Sequence, residues 1–388
     1  MTVDEVKANL SWLLPPALEA IHQGRYQAPP VRRVYIPKPD GRKRPLGIPT
    51  VLDRAIQAAT AKILNQIYEQ DFMDCSFGFR EGRGCHNALA TLGLLIYEQK
   101  MLTALEVDIR DFFGTIDHQW MVRFLEHRIG DRRVIKLIKA WLKAGVMDQG
   151  AVTEPEQGTP QGGSISPLLA NIYLHYVLDL WWEKKILPKL AAKAALVRYC
   201  DDFVLLFKSP QDARTVHHLL KARLEQFDLK VADEKTHMTD LGPKNPGEGN
   251  RRRRIDFLGF TIYRTRTRRK NGYKIVYRTQ SKRFARSKKA MRWRLRQMMH
   301  DGLEAQAAYL RAVLRGHFNY YGMAGNSHRL QRFWNEARKA WRFCLSRRSQ
   351  RGQYSWQQMK QKVFEQYPLP LPRIKIGYAH LGSYAIGL

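Results

Sequence analysis

Three aspartates in this 388-residue chain stand where a carboxylate is costly unless it holds something. Asp201 and Asp202 lie between two apolar runs, residues 194–197 and 203–207. β-Branched and aromatic residues on both sides predict strand, tight turn, strand, with the acidic pair in the turn. By itself such a pair is ordinary turn chemistry, since Asp is common in solvated turns. Asp108 is different in kind: it closes the β-like run 102–107, just ahead of Phe112 and Phe113. A carboxylate desolvated at the end of an apolar strand needs a compensating cation. Mg²⁺ is a hard cation that takes oxygen ligands and keeps positions open for water and phosphate. Asp108, Asp201 and Asp202 brought together would clamp two such ions about 4 Å apart, an arrangement that activates a hydroxyl nucleophile and stabilises a leaving pyrophosphate. A triphosphate substrate would also need Lys or Arg donors.

The elements that must position these groups follow in order. A short helix is predicted over 11–22, closed by Gly24 and the Pro29-Pro30 breaker. Alternating residues around Asp40-Gly41 predict a hairpin over 31–49. Lys38, Arg42, Lys43 and Arg44 crowd that hairpin, either as the charges guarding an edge strand or as a phosphate grip. Helical spacing over 53–68 puts Ile56, Ala59, Ile63 and Ile67 on one face. A glycine-punctuated loop over 77–84 carries Arg80 and Arg83, and a helix follows over 86–100. Further helices are predicted over 119–128, 132–144 and 212–227. The Gly- and Pro-rich stretch 158–167 opens a helix over 168–182, with Ser164 or Ser166 as its cap. A strand is expected over 255–263.

Charge narrows the partner. The chain has 66 Lys and Arg against 35 Asp and Glu, a formal net charge of +31. Residues 251–351 hold 29 of the basic residues and only four acids, so the field is a surface on the last part of the chain. Such a surface favours a polyanion, nucleic acid or an anionic membrane. No apolar run approaches the ~20 residues of a spanning helix, so nucleic acid is the expected partner. Three helices fit this part. One is strongly basic, over 281–300; the others carry apolar faces, Leu303, Ala307, Leu310, Leu314, Phe318 and Tyr321, then Leu330, Phe333, Trp334, Ala337 and Trp341. The four cysteines are scattered, without zinc spacing, which predicts a reducing, cytoplasmic setting.

Taken in order, the segments VRRVYIPKPDGRKRPLGIPTVLDR, SFGFREGRGCHNAL, EVDIRDFFGTIDH, GTPQGGSISPLLANIYLH, RYCDDFVLLF, LKVADEKT and FLGFTIY resemble the reverse transcriptases encoded by bacterial group II introns. The likeness runs from about residue 31 to 367. It implies an α+β right-hand polymerase, fingers and a palm with an antiparallel sheet, followed by an α-helical thumb and maturase domain. The implied divisions are an N-terminal helical segment over 1–30, fingers over 31–100, palm over 101–263 and the basic helical domain over 264–388. The implied activity is RNA-directed DNA polymerisation with two Mg²⁺, or Mn²⁺ in their place, joined to intron RNA binding, splicing and retrohoming.

The resemblance also assigns roles. Asp108, Asp201, Asp202 and the Ile109 carbonyl become metal ligands. Phe113 becomes the gate against a ribose 2′-hydroxyl, Lys38 and Arg44 contact the triphosphate, and Gln161 lies near the nascent base pair. Lys235 becomes the proton donor to pyrophosphate. Cys200 takes the place of the small residue usual before the Asp pair and packs there. The stretch 314–322, Leu-Arg-Gly-His-Phe-Asn-Tyr-Tyr-Gly, is typical of the maturase part. The implied partners are an RNA template with its primer, structured intron-like RNA, a DNA target and dNTPs. Two departures are a short segment before the fingers and the lack of a Cys/His-bearing nuclease segment before Leu388, so second-strand cleavage is not expected. The Ser-Pro that ends the 161–167 loop fits group II enzymes rather than the diversity-generating group. Two other settings share these features: a domesticated relative in CRISPR adaptation or phage defence, and a maturase that binds RNA without polymerising.

Overall fold

From the N-terminus the computed structural model runs α1 (Val3–Ala8), α2 (Leu10–His22), β1 (Val31–Pro37), β2 (Lys43–Ile48), α3 (Val51–Tyr68), α4 (Cys85–Tyr97) and β3 (Thr103–Val107). Next come α5 (Phe112–Thr115), α6 (His118–Arg128), α7 (Arg132–Leu142), β4 (Val146–Asp148), β5 (Ala151–Thr153), α8 (Ser166–Leu174), β6 (Ala194–Tyr199), β7 (Asp202–Phe207) and α9 (Pro210–Glu225). The chain ends with β8 (His237–Asp240), β9 (Ile255–Phe257), β10 (Phe260–Arg266), β11 (Tyr273–Thr279), α10 (Ser281–Gln297), α11 (Leu303–Tyr321), α12 (Ser327–Ser346), α13 (Trp356–Met359) and α14 (Leu381–Tyr384). The structure describes residues 1–37, 41, 43–148, 151–153, 157–158, 162–243, 253–267, 272–348 and 352–387. It divides into two units, one of residues 1–88, 105–238 and 387, the other of residues 89–104, 239–386 and 388.

In the first unit β1 and β2 form the expected hairpin, Pro37 opposite Lys43 and Arg32 opposite Ile48. β1 also pairs in parallel with β4, which with β5 makes a short hairpin absent from the sequence expectations. The sheet that positions the aspartates has the order β6-β7-β3-β8. All five residues of β3 are buried, Thr103 and Glu106 among them, as are five of the six in β7, whose stretch 203–207 is a continuous apolar run. Their core includes Leu105, Val107, Phe203, Leu205 and Phe207 and is closed by α6, α7, α8 and α9 through Leu125, Trp141, Leu169 and Leu220.

Three expectations change. The buried face of α3 carries Asp53, Ile56, Gln57, Ala61, Leu64 and Tyr68, whereas Ile63 is 65% exposed. Two polar residues, Asp53 and Gln57, occupy inward positions, so the buried face does not follow the apolar stripe. The helix predicted over 168–182 is α-helical only to Leu174 and then widens into π-helical turns at His175–Asp179 and Trp182–Ile186. Neither Ser164 nor Ser166 caps it; the N-cap is Ile165, without a side-chain bond. The strand predicted over 255–263 is a hairpin, β9 to β10, with Phe257 opposite Phe260. Leu258 and Gly259 turn it with positive φ at both positions, the type I′ geometry.

The second unit holds the sheet β11-β10-β9 and the three long helices. Ala307, Leu310, Leu314 and Phe318 of α11 pack with Leu330, Phe333, Ala337 and Trp341 of α12, as the spacing predicted. Among the described residues no helix is long and apolar enough to cross a membrane.

Candidate active site

Asp108 is the first residue after β3, where the apolar run ends. Beyond it Ile109 bridges Val231, with Arg110 N–H bonded to Lys230 O at 2.8 Å and Ala232 N–H to Asp108 O at 2.8 Å. Those two bonds flank Ile109, so its own carbonyl takes no part in the bridge. Lys235 Nζ donates to Asp108 Oδ1 at 2.9 Å. The Lys235 side chain is 52% exposed and that of Asp108 31%, so solvent screens the pair and its net worth is small. The lysine is aimed by a tight turn in which the N–H groups of Lys235 and Thr236 both bond Ala232 O at 2.9 Å.

Asp201 sits at the β6–β7 turn, and β7 is the neighbour of β3 in the sheet. The pairing of Tyr199 with Asp202 leaves only Cys200 and Asp201 between the strands. The acidic pair is therefore split: Asp201 is a turn residue, while Asp202 is the first, exposed residue of β7. Cys200 has φ +58°, a conformation that favours glycine, and Asp201 does not, the pattern of a type II′ turn. Cys200 thus does more than pack. Burial, and then the Asp201 charge, push its thiol up to about 12, so it stays a neutral side chain.

The turn is fastened from beneath by Arg198, whose side chain is wholly buried. Its Nε donates to Asp179 Oδ1 at 2.7 Å, Nη2 to Asp179 Oδ2 and to Ser76 Oγ at 2.8 Å, and Nη1 to Asn171 Oδ1 and Cys200 O, both at 3.1 Å. Burial pulls this guanidinium down, but the Asp179 charge and hydrogen bonds more than offset it, so it holds its proton more tightly than usual. Asp179 reaches it from the π-helical turn at His175–Asp179, and such turns recur where a helix must re-aim a side chain. Backbone bonds lay the 75–78 segment alongside, Arg198 N–H to Cys75 O at 2.8 Å and Phe77 N–H to Arg198 O at 2.9 Å. Asn171 Nδ2 holds Gly78 O at 2.6 Å, and Gly78 lies so close that a Cβ there would meet Cys200 N at 2.6 Å.

A second polar cluster holds the loop before α8. Ser164 N–H donates to Gln57 Oε1 at 2.9 Å, and Gln57 Nε2 donates to Asp53 Oδ2 at 3.1 Å. Asp53 Oδ1 accepts from Tyr26 Oη at 2.9 Å and from Trp141 Nε1 at 2.8 Å. Burial raises the Asp53 pKa while these three donors pull it back. Gly162, at φ +127°, comes close enough to β2 that a Cβ would stand 2.8 Å from Gly47 O. On the other side of the loop, Gly158 N–H bonds Ile116 O at 2.8 Å and Gly158 O meets His118 Nε2 at 2.6 Å. That ties the loop to the turn after Phe113. Phe113 is half-buried, its ring 5.4 Å from and edge-on to Phe112.

The structure thus joins Asp108 directly to Lys235 and puts Asp108 and Asp201 at the ends of neighbouring strands. Lys38, Gln161 and the Arg44 side chain lie outside the described residues. Arg80, which the sequence placed in a basic loop, turns inward. Only 2% of its side chain is exposed, and it bonds Glu69 at 2.6 Å with the carbonyls of Met73 and Ser76. Arg198, Asp179, Asn171, Asp53 and Gln57 went unnoticed as site residues. Only the last two left a signal, polar side chains four apart on an otherwise apolar helix face.

Among the described residues no three His, Cys, Asp or Glu side chains form a ready cage for a metal ion. The donors present are carboxylate oxygens and a main-chain carbonyl, the set a hard divalent cation takes when water and phosphate complete its shell.

Residues 36–262 match the family described as reverse transcriptase (RNA-dependent DNA polymerase), a segment that holds Asp108, Asp201, Asp202 and Lys235. Protein YkfC of Escherichia coli (strain K12) is 31% identical over 323 residues, 75% of this chain and 82% of that protein. The group II intron-encoded protein LtrA of Lactococcus lactis subsp. cremoris is also 31% identical, over 81% of this chain and 64% of its own length. An uncharacterized 91 kDa protein in a cob intron of Schizosaccharomyces pombe is 34% identical over 55% of this chain and 25% of that one. The chain therefore spans less than two thirds of the last two relatives. Since the matched segment is more than half of its length, this chain belongs to the reverse transcriptase (RNA-dependent DNA polymerase) family.

Proposed function

We propose that this reverse transcriptase extends a DNA primer on an RNA template by divalent-metal-dependent nucleotidyl transfer, and that its basic helical unit binds structured, intron-like RNA. The observation that carries the reading is the placing of Asp108 and Asp201 at the ends of adjacent strands inside the family segment. Asp108, Asp201 and the Ile109 carbonyl would hold the cations, with Asp202 in the same acidic cluster. Bound there, Mg²⁺ would favour the primer 3′-alkoxide and offset the charge of the leaving pyrophosphate.

Lys235 stands at Asp108 with an ammonium proton to give to that pyrophosphate. Phe113 lies under the sugar and excludes a 2′-hydroxyl, so dNTPs are the substrates. Lys38 and Arg44 of the β1–β2 hairpin meet the triphosphate, and Gln161 lies near the nascent base pair. In this reading residues 31–100 are the fingers, 101–263 the palm and 264–388 the thumb and maturase domain. Similarity to a group II intron-encoded protein supports a role in splicing intron RNA and in its insertion at a DNA target. The free state of all four cysteines fits a cytoplasmic setting.

The test is Asp201→Asn, which keeps side-chain size and removes the charge. Incorporation of dTTP on poly(rA)/oligo(dT) should be abolished while affinity for structured RNA is retained. Synthesis at the wild-type rate would overturn the assignment, whereas RNA binding without dNTP incorporation by the wild-type protein would favour a binding-only maturase.

A further inference from the structure

Between α10 and α12 lies a cavity of about 330 Å³ that the polymerase chemistry does not use. Arg292 and Arg296 line it from α10, and Lys339, Ala340, Phe343 and Cys344 from α12. Each set repeats at about one helical turn, so the two helices face each other across the gap. Ala340 and Cys344 are buried and small, which leaves the seam open where larger side chains would close it. Most of its exposed wall is apolar, and three cationic residues, Arg292, Arg296 and Lys339, contribute to that wall beside the Phe343 ring.

Of the three charges, only that of Arg292 is cancelled. Glu336 takes up Arg292 at 2.6 Å and approaches Lys288 at 4.0 Å. Arg296 instead lies 5.6 Å from the Phe343 ring centre, and Lys339 has no acidic partner among the described residues. Phe343 is 43% exposed although its ring is large and apolar, and Arg347 also approaches it, at 5.2 Å. Its volume is that of a small-molecule site, which begins at roughly 300 Å³. The chemistry that satisfies such a lining is an anion attached to a flat aromatic group: phosphate on Arg296 and Lys339, ring on Phe343.

We propose that the α10–α12 cavity is a subsite for one unpaired nucleotide of a structured RNA, its base stacked on Phe343 and its phosphate held by Arg296 and Lys339. The proposal rests on the RNA-binding reading above and adds that this surface distinguishes an extruded base from a continuous duplex. RNA is favoured over a free nucleotide because the cavity opens within the segment that carries 29 Lys and Arg against four acids, a surface suited to a polyanion.

The experiment compares full-length protein binding to three RNA hairpins at one salt concentration: fully paired, with a single bulged adenosine, and with an abasic bulge. The bulged adenosine should bind about tenfold tighter than either other RNA, the worth of one base stacked on an aromatic side chain. Phe343→Ala and the cavity-filling Ala340→Met should remove that preference and leave affinity for the paired hairpin unchanged. Phe343→Trp should keep it. Phe343 is exposed, so its variants are expected to fold, and their melting curves check this. No preference in the wild type, or a preference that survives both Phe343→Ala and Ala340→Met, overturns the subsite, as does equal loss on all three RNAs. Failure of the wild type to bind any of the hairpins would instead count against the RNA-binding reading, and primer extension on the same preparations keeps the polymerase assignment separate.

Discussion

Gly78→Ala should disable the chemistry without touching a catalytic residue. A Cβ at Gly78 would lie 2.6 Å from Cys200 N, 3.2 Å from the Tyr199 carbonyl carbon and 3.4 Å from Cys200 Cα. All three are main-chain atoms of the turn that carries Asp201, so no side chain can swing aside. Ordinary contact begins at 3.4 Å, so the nearest pair must open by about 0.8 Å, and either the turn or the 75–78 segment has to move. The turn cannot move freely, because Cys200 O is bonded to Arg198 and Gly78 O to Asn171. Overpacking of this kind costs about 1–3 kcal/mol of stability. The larger effect is on rate, because a misplacement of about 1 Å can cost on the order of 10²-fold. Single-turnover primer extension at saturating dNTP should therefore slow by roughly that factor, with RNA affinity unchanged. Gly130→Ala is the control, since nothing lies within 4 Å of a Cβ there. A Gly78→Ala enzyme that extends primers at the wild-type rate would refute the claim that Asp201 is positioned through this contact.

Two other outcomes are expected. Asp179→Asn strips the buried Arg198 of its counter-ion, and breaking such a pair costs about 3–5 kcal/mol, read as a lower denaturation midpoint. Replacing both partners, Arg198→Met with Asp179→Leu, should recover much of that stability but not activity, because the Arg198 bond to Cys200 O is lost. His317, stacked 3.8 Å from Phe333, is lowered to about 4 by burial. Its folded pKa lies below its unfolded one, so the stabilising neutral form is complete above about pH 6.5 and is lost as pH falls towards 4. Full protonation should remove about 3 kcal/mol, and His317→Phe should flatten the change in urea midpoint between pH 7 and 4.5.

What could be read from the sequence was local. Asp108 was legible because an acid closes an apolar β run, and the hairpin about Asp40-Gly41 because its flanks alternate. Two of the three long C-terminal helices were legible from stripes three and four apart, and the first from its basic composition. Cys200 was not, because nothing in a cysteine announces a positive φ; that conformation is imposed by the strands on either side and by Arg198 at its carbonyl. The same limit hid Arg80 and Arg198. An arginine's partner is chosen by the fold, and the partners here are Glu69 and Asp179, eleven and nineteen residues away.

The polar contacts that only the fold assembles are the ones that set the geometry around Asp201. The Asp201 turn is held from three stretches at once: Ser76 and Gly78, Asn171 and Asp179, and Arg198 itself. Each contributes a bond to a neighbour that another stretch also binds, so a shift in one is passed to the others rather than absorbed. Lys235 is coupled differently, through an exposed contact to Asp108 that solvent weakens. Asp201 is thus seated on a buried and rigid base, while Lys235, bonded to Asp108 through a solvent-exposed contact, is free to exchange its partner. A site that must keep its carboxylates still while substrate and product come and go is well served by that division. It places the largest penalties at Gly78, Asp179 and Arg198 and smaller ones at Lys235, where loss should slow turnover while leaving the fold and the position of Asp201 unaltered.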